Sequence, residues 1–212
     1  MPEPEYDGLA IVDGDNIVRG VQRLVHGSIH IEKFTVLIRE QLQERSTQNP
    51  LLIWCHTVTT SDPRFPSRRA DLERNQWRVC ELSGGSEVDQ HTGARHWYGL
   101  PDSFIAQEAR LAMIKYRMRN LLLASGDGYF IDLIRQAREH HVHTIVLSLR
   151  NSLHRDLCAA ADEIIELDKY FGTVIDSCAP SAPSVVTWAK TAQRIADSRY
   201  PLIGRPRSRW RR

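Results

Sequence analysis

Short apolar segments alternate with amphipathic stretches along most of this chain, and this alternation restricts its fold more than any other feature. We predict strands at 8–12, 51–57, 78–82, 121–124, 144–147 and 163–167. We predict helices at 31–44, 71–76, 103–116, 130–140 and 152–161. Strands that alternate with helices build a parallel sheet with helices on both faces. The sequence therefore predicts an α/β fold, a three-layer α/β/α sandwich with a largely parallel central sheet.

The composition fits one globular domain rather than a membrane protein or a disulfide scaffold. The 212 residues are 42% hydrophobic and 25% charged, and no apolar run approaches the length of a spanning helix. The N-terminus lacks a secretory pattern, so we expect a cytoplasmic protein with no membrane partner. Four widely spaced cysteines form no CxxC pair, which favours buried free thiols over zinc ligands.

The end of the chain differs in composition from the rest. We predict one domain over residues 1–170, followed over 171–212 by a Pro/Ser linker, a terminal helix at 185–197 and a basic tail. The last stretch, RYPLIGRPRSRWRR, has six arginines and no acid. Such a tail can contact phosphates, and it can equally be a solvated terminus.

Acidic residues follow two of the predicted strands at the point where each strand ends. Asp13 and Asp15 follow the first strand, and Asp127 follows the strand at 121–124. Ligands of parallel α/β sheets bind outside the carboxyl ends of the strands, so these carboxylates should meet at one edge. Hard oxygen ligands suit Mg²⁺ or Mn²⁺, which can activate water at a phosphoryl centre. The alternative is that these residues only form turns or cap helices.

Four segments, taken in order, resemble the NYN domain family of PIN-like metal-dependent ribonucleases. They are IVDGDNI at 11–17, LPDSFIAQEARLAM at 100–113, LLLASGDGYF at 121–130 and LSLRNSLHRDLCAAADEIIEL at 147–167. The resemblance runs from about Leu9 to Leu167, and the separation of Asp102 from Asp127 agrees with the family without a gap. It implies a PIN-like, Rossmann-like fold.

The resemblance also implies an activity and a set of site residues. The activity is that of an endoribonuclease in which an acidic cluster holds Mg²⁺ or Mn²⁺ and metal-activated water cuts RNA. The implied catalytic residues are Asp13, Asp102, Asp127 and Glu108. Asn16 would orient a ligand or a phosphate, and Ser125 would shape the turn. From the residues alone, Asp102 can also be a helix N-cap, and Glu108 can lie on a solvated helix face.

The chain departs from the family at Tyr129, where much of the family has an acid. The loss of one carboxylate leaves open whether the site holds one metal or two. Asp15 and Asp132 are further candidate metal ligands, although Asp132 is also suited to the first turn of a helix through the helix dipole. An aromatic ring beside a phosphate site can stack on a base, so Tyr129 is a candidate RNA contact.

RNA is the predicted partner, and a homo-oligomer or a protein partner is also allowed. Arg68 and Arg69 join Asn16, Ser125 and Tyr129 as predicted RNA contacts, or else belong to a solvated face. One alternative function is a degenerate NYN domain that binds RNA without cutting it. Another is a phosphatase of the haloacid dehalogenase type, in which Asp13, the first acid of the DxD that ends at Asp15, attacks phosphate.

Overall fold

The computed structural model describes residues 6–45, 49–58, 65–83, 85–88, 95–98 and 101–176. The predicted terminal helix and the basic tail lie outside these ranges. Among the helices that are described, none has the length and apolar character needed to cross a membrane.

The described structure has six α-helices, ten strands and three short 3₁₀-helices, the last at Gly128–Phe130, Arg150–Ser152 and Leu167–Tyr170. The helices are α1 (Gly14–Val25), α2 (Ile31–Gln43), α3 (Phe65–Arg74), α4 (Pro101–Tyr116), α5 (Ile131–Glu139) and α6 (Arg155–Ala160). The strands are β1 (Gly8–Asp13), β2 (Ser28–Ile29), β3 (Leu51–Val58), β4 (Arg78–Ser83), β5 (Gly85–Val88), β6 (Arg95–Tyr98), β7 (Asn120–Ala124), β8 (His143–Ser148), β9 (Glu163–Glu166) and β10 (Ile175–Asp176).

The central sheet has six strands in the order β4-β3-β1-β7-β8-β9, and every neighbouring pair is parallel. The chain builds outwards from β1 through β3 to β4, and then returns to place β7 on the other side of β1. This is the strand order of doubly wound nucleotide-binding folds, with the order reversing between β1 and β7. The predicted α/β sandwich with a parallel sheet is confirmed.

Alternate residues of the central strands supply two separate cores, one on each face of the sheet. Leu9 and Ile11 of β1 pack in a cluster with buried residues of α4, α5 and α6. Ala10 and Val12 of the same strand pack in the opposite cluster with α1, α2 and α3. Side chains alternate along a strand, so a strand buried on both faces is apolar throughout. The continuous apolar runs in the sequence have this cause.

The structure corrects several predicted segments. Helix α1 has no counterpart among the predicted elements, because Gly14, Asp15 and Asn16 are typical turn residues. Helix α3 begins at Phe65, six residues before the helix predicted at 71–76, since its proline lies in the first turn, where a helix tolerates it. Between the strand predicted at 78–82 and the helix predicted at 103–116, the structure has an antiparallel pair, β5 with β6. Regular structure also continues past residue 170, because β10 pairs with β2.

Gly14 starts α1 in close contact with β3. A Cβ atom at this position would lie 2.8 Å from the carbonyl oxygen of Cys55 and would also overlap the indole of Trp54. Neither the strand backbone nor the fully buried Trp54 can move aside easily. The absence of a side chain at Gly14 therefore sets how closely α1 approaches the sheet.

We predict that Gly14→Ala lowers the free energy of unfolding by about 1–3 kcal/mol, the usual cost of overpacking a core. Urea denaturation of the two proteins measures this difference. Gly20→Ala in the same helix is the matched control, because the nearest atom there is the flexible end of Leu149. The control should cost less, since alanine also favours a helix by about 1 kcal/mol over glycine. Equal losses would contradict the importance of the close approach.

Candidate active site

The candidate site lies where the strand order reverses, at the carboxyl ends of β1 and β7. Asp13 is the last residue of β1, and Asp127 follows the end of β7 by three residues. These strands are hydrogen-bonded neighbours, with Val12 in register with Ala124. The helices that follow them, α1 and α5, pack on opposite faces of the sheet. A crevice between diverging helices is the usual ligand site of such folds.

Asp13 is the most deeply buried acid of the site, with 5% of its surface exposed. Its Oδ1 atom accepts a hydrogen bond of 3.0 Å from the backbone N–H of Asn16, which caps α1. Its Oδ2 atom accepts a 3.0 Å bond from the hydroxyl of Ser125. Burial raises the pKa of Asp13 from 3.8 to about 6 against these bonds, and the charges of Asp102 and Asp15 raise it further. Asp13 is thus held in place but not electrostatically satisfied.

A network of hydrogen bonds fixes the turn after β7 to the end of β1. Ser125 Oγ accepts a bond from the N–H of Asp127 while it donates to Asp13. Asn16 Oδ1 accepts a 3.2 Å bond from the N–H of Gly126. A Cβ at Gly126 would overlap the carbonyl of Ser152, so this turn requires glycine. Asn16 and Ser125, predicted as RNA contacts, thus bond to protein atoms that position Asp13 and Asp127.

Asp102 brings a third carboxylate from a separate element, α4. It lies in the first turn of α4, which begins at Pro101, so the alternative that Asp102 is an N-cap is wrong. Proline is favoured at the first helical position because its missing N–H needs no partner there. Burial raises the pKa of Asp102, followed by the charge of Asp127 and then that of Asp15. These interactions place Asp102, Asp127 and Asp15 in one group.

Asp15 belongs to the group but is also tied to β3. Its Oδ2 atom accepts a 2.9 Å bond from the N–H of Thr57, and its Oδ1 atom lies 3.3 Å from Nδ1 of His56. Arg19, one helical turn later, is 3.9 Å away. His56 is buried and has no counterpart among the predicted site residues. The sequence feature that could have identified His56 is its position near the carboxyl end of the strand predicted at 51–57.

The carboxylate oxygens of Asp13, Asp102 and Asp127 are of the chemical type that binds a hard divalent cation, but their positions in the structure do not form a complete set of ligands. Over the part of the chain that the structure describes, no three histidine, cysteine, aspartate or glutamate side chains form a group that could hold a metal ion. Carboxylate oxygens are the ligands that Mg²⁺ and Mn²⁺ prefer. Like charges in a partly buried site repel each other, and a cation relieves that repulsion. Asp13, Asp102 and Asp127 therefore fit such an ion by chemistry.

Four predicted site residues have their main contacts elsewhere. Glu108 lies 3.3 Å from the guanidinium of Arg78, at the start of β4. Asp132 is 86% exposed and pairs with Arg135. Arg69 is held between Glu73 and Glu81. Arg68 lines a cavity with residues of α1 and β2.

Tyr129 lies beside the acidic group with its ring accessible. Its N–H donates a 2.9 Å bond to Asp127 Oδ1, and 54% of its surface is exposed. The ring meets the buried ring of Phe130 edge-on, with 5.6 Å between centroids. The backbone of this aromatic residue thus orients the neighbouring carboxylate, while its side chain faces solvent.

We predict that Asp13→Asn stabilises the fold at neutral pH. The folded pKa of about 6 exceeds the ordinary value of 3.8, so the folded state holds an extra proton between these pH values. Stability is therefore lost as pH rises through this window, by on the order of 3 kcal/mol at pH 7. The amide can accept from Asn16 and donate to Ser125. Chemical denaturation at about pH 4 and pH 7.5 should show a gain at the higher pH only. A variant less stable than the parent at pH 7.5 would contradict this electrostatic reading.

Comparisons with known proteins identify the fold and the family of this chain. A structural neighbour is a protein of unknown function from Vibrio parahaemolyticus, with a TM-score of 0.59 and 15% sequence identity, covering 79% of this chain and 96% of the neighbour. At this identity the likeness shows the fold alone. A comparison with curated proteins finds no match. Residues 9–168 match the NYN domain. This match covers most of the chain and confirms the predicted resemblance, and the chain belongs to the NYN domain family.

Proposed function

We propose that this NYN domain is a metal-dependent ribonuclease that hydrolyses RNA phosphodiester bonds. The observation that carries the proposal is the convergence of Asp13, Asp102 and Asp127 from three separate elements on the switch point of the sheet. Membership in a nuclease-like family supports it. Membership in the NYN family also removes the main reason for considering a haloacid dehalogenase, since the DxD motif of Asp13 and Asp15 lies within the residues that match the NYN domain.

The side chains of the proposed site divide into those that would hold the metal and those that support them. Asp13, Asp102 and Asp127 would hold Mg²⁺ or Mn²⁺, which when bound would activate water and stabilise charge on the phosphate. Asp15 adds negative charge but is anchored to Thr57 and His56, so it acts as a support. Ser125 and Asn16 fix the distance between the two strand ends.

The distribution of acids favours one cation rather than two. Tyr129 stands where an acid is common in the family. Asp132 pairs with Arg135 at the surface, and Glu108 pairs with Arg78. Neither residue is among the charges that raise the pKa of Asp13 or Asp102. The remaining ligand candidates are enough to anchor a single ion with substrate oxygens and water completing its shell.

Tyr129 favours single-stranded RNA as the substrate. Its exposed ring is adjacent to Asp127 and is supported by Phe130. Stacking on an aromatic ring requires a base that is not already paired and stacked in a duplex. A base stacked on Tyr129 would bring its neighbouring phosphate towards the acidic group.

A second function, RNA binding without cleavage, also has an observation in its favour. The acidic side chains do not form a ready metal site within the described residues, whereas the aromatic ring is already exposed. Incubation of the purified protein with Mn²⁺ and labelled RNA separates the two functions. Cleavage supports the ribonuclease, and a gel shift of intact RNA supports the binding domain.

We predict that Asp127→Asn reduces Mn²⁺-dependent cleavage of single-stranded RNA at least about a hundredfold, because a charged ligand is lost. Thermal unfolding should change little, since the amide can keep the bond from Tyr129. Asp132→Asn is the matched control, because this acid is nearby but exposed and paired with Arg135. Full activity in Asp127→Asn would exclude the proposed site.

We predict that Tyr129→Ala weakens binding of a short single-stranded RNA by about tenfold or more, since stacking on a base contributes about 1–3 kcal/mol. Tyr129→Phe should bind as tightly as the parent, because it keeps the ring. Fluorescence anisotropy with a labelled oligonucleotide measures both. Unchanged affinity in the alanine variant would remove Tyr129 from the RNA surface, and equal losses in both variants would assign the effect to the hydroxyl.

A further inference from the structure

Two cysteines lie side by side on neighbouring strands, next to Asp13 of the acidic group. Cys55 of β3 and Cys80 of β4 are register partners in neighbouring parallel strands. Both are buried in the same cluster, on the face covered by α4, so their side chains leave the two neighbouring strands on the same side of the sheet. They are therefore a pair of adjacent thiols, although 25 residues separate them in the sequence.

The spacing of the strands allows a bond between the two sulfur atoms. Neighbouring strands lie about 4.7–4.9 Å apart. Disulfides link residues whose Cα atoms are about 4.4–6.8 Å apart. Cys55 and Cys80 are register partners, so their Cα atoms are separated by about the strand spacing. This spacing falls within the range of Cα distances found in disulfides. Because both side chains leave the sheet on the same face, the sulfur atoms approach each other without a change of register.

Cys80 is the more reactive thiol of the pair. It lies on the edge strand of the sheet and is 9% exposed, against 1% for Cys55. The interaction with the Cys55 thiol and the charge of Arg78 lower the pKa of Cys80 to about 7, against the effect of burial. The interaction with Cys80 and burial raise the pKa of Cys55. The thiolate form is the nucleophile, so oxidants should react first at Cys80.

We propose that Cys55 and Cys80 form a dithiol site that a peroxide oxidises to an intramolecular disulfide. The Cys80 thiolate attacks one oxygen of hydrogen peroxide, the O–O bond breaks to give a sulfenic acid and hydroxide, and the hydroxide takes up the proton that the Cys80 thiol had released to become water. Cys55 Sγ then attacks Cys80 Sγ, the S–O bond breaks, and a second water leaves. In total, two thiols lose two electrons and two protons, and one peroxide is reduced to two waters. A dithiol reductant reverses the reaction.

The dithiol is joined to the acidic group by direct contacts. Cys55 is in register with Asp13, and its carbonyl oxygen packs against Gly14 at the start of α1. Any shift of Cys55 when the disulfide forms is therefore transmitted to Asp13 and to the start of α1. We expect oxidation to weaken Mn²⁺ binding several-fold, and this consequence rests on the proposed function, whereas the formation of the disulfide does not.

The test uses a full-length Cys158→Ser, Cys178→Ser variant, because Cys158 is exposed and Cys178 lies outside the described residues. After treatment with equimolar hydrogen peroxide, the protein should lose both remaining thiols and the mass of two hydrogen atoms. Tryptic peptides containing Cys55 and Cys80 should be found linked in this variant and in the unsubstituted protein. Dithiothreitol should restore both thiols, and a non-reducing gel should show a monomer.

Adding Cys80→Ser to the same variant provides the control, and there Cys55 should remain reduced. The proposal is overturned if no linked peptide forms, if both thiols survive, or if Cys80 stops at a sulfenic or sulfinic acid with Cys55 reduced. Mn²⁺ titration of the reduced and oxidised proteins tests the contact with the acidic group. Equal affinities would refute that contact. Absence of Mn²⁺ binding to the reduced protein would contradict the proposed function and leave the thiol result standing.

Discussion

The unfavourable burial of Asp13 is the constraint on which the rest of this structure depends. A carboxylate at the end of a central strand, close to Asp15 and Asp102, is out of water and near like charges. The two hydrogen bonds to its oxygens fix its position without removing that cost. A buried charge of this kind is kept in place only where the surrounding fold is stable enough to hold it. The two apolar cores on either face of the sheet supply that stability.

The crevice has its shape because backbone segments meet without side chains between them. Gly14 lets α1 approach β3, and Gly126 lets the turn after β7 pass beside Ser152. These approaches bring Asn16 within hydrogen-bond distance of Gly126 and Ser125 within reach of Asp13. The acidic group is thus a product of backbone packing, and the hydrogen bonds connect elements that are far apart in sequence.

The architecture and most of the site could be predicted from the sequence, because buried parallel strands leave continuous apolar runs and strand ends collect the acids. The position of strand ends alone predicts that Asp13 and Asp127 lie at the same edge of the sheet. Helix α1 was missed because its first residues are turn formers, and its capping by Asp13 appears only when the strand is in place. The ion pairs of Asp132 with Arg135 and of Glu108 with Arg78 could not be predicted, since spacing along the sequence does not show which basic side chain lies beside an acid. That Cys55 and Cys80 lie opposite each other depends on the register of β3 and β4, which no local sequence pattern encodes.

The hydrogen bond from the Tyr129 backbone to Asp127 has a geometric consequence for any bound strand. One residue offers a flat surface for a base, and its own peptide group orients the carboxylate beside it. The surface and the carboxylate cannot move independently, because they share one short turn that begins at Gly126 and ends at the buried Phe130. In the proposed ribonuclease, this turn would fix the distance between the stacked base and the cleaved bond, so the cut would fall at a constant number of nucleotides from that base.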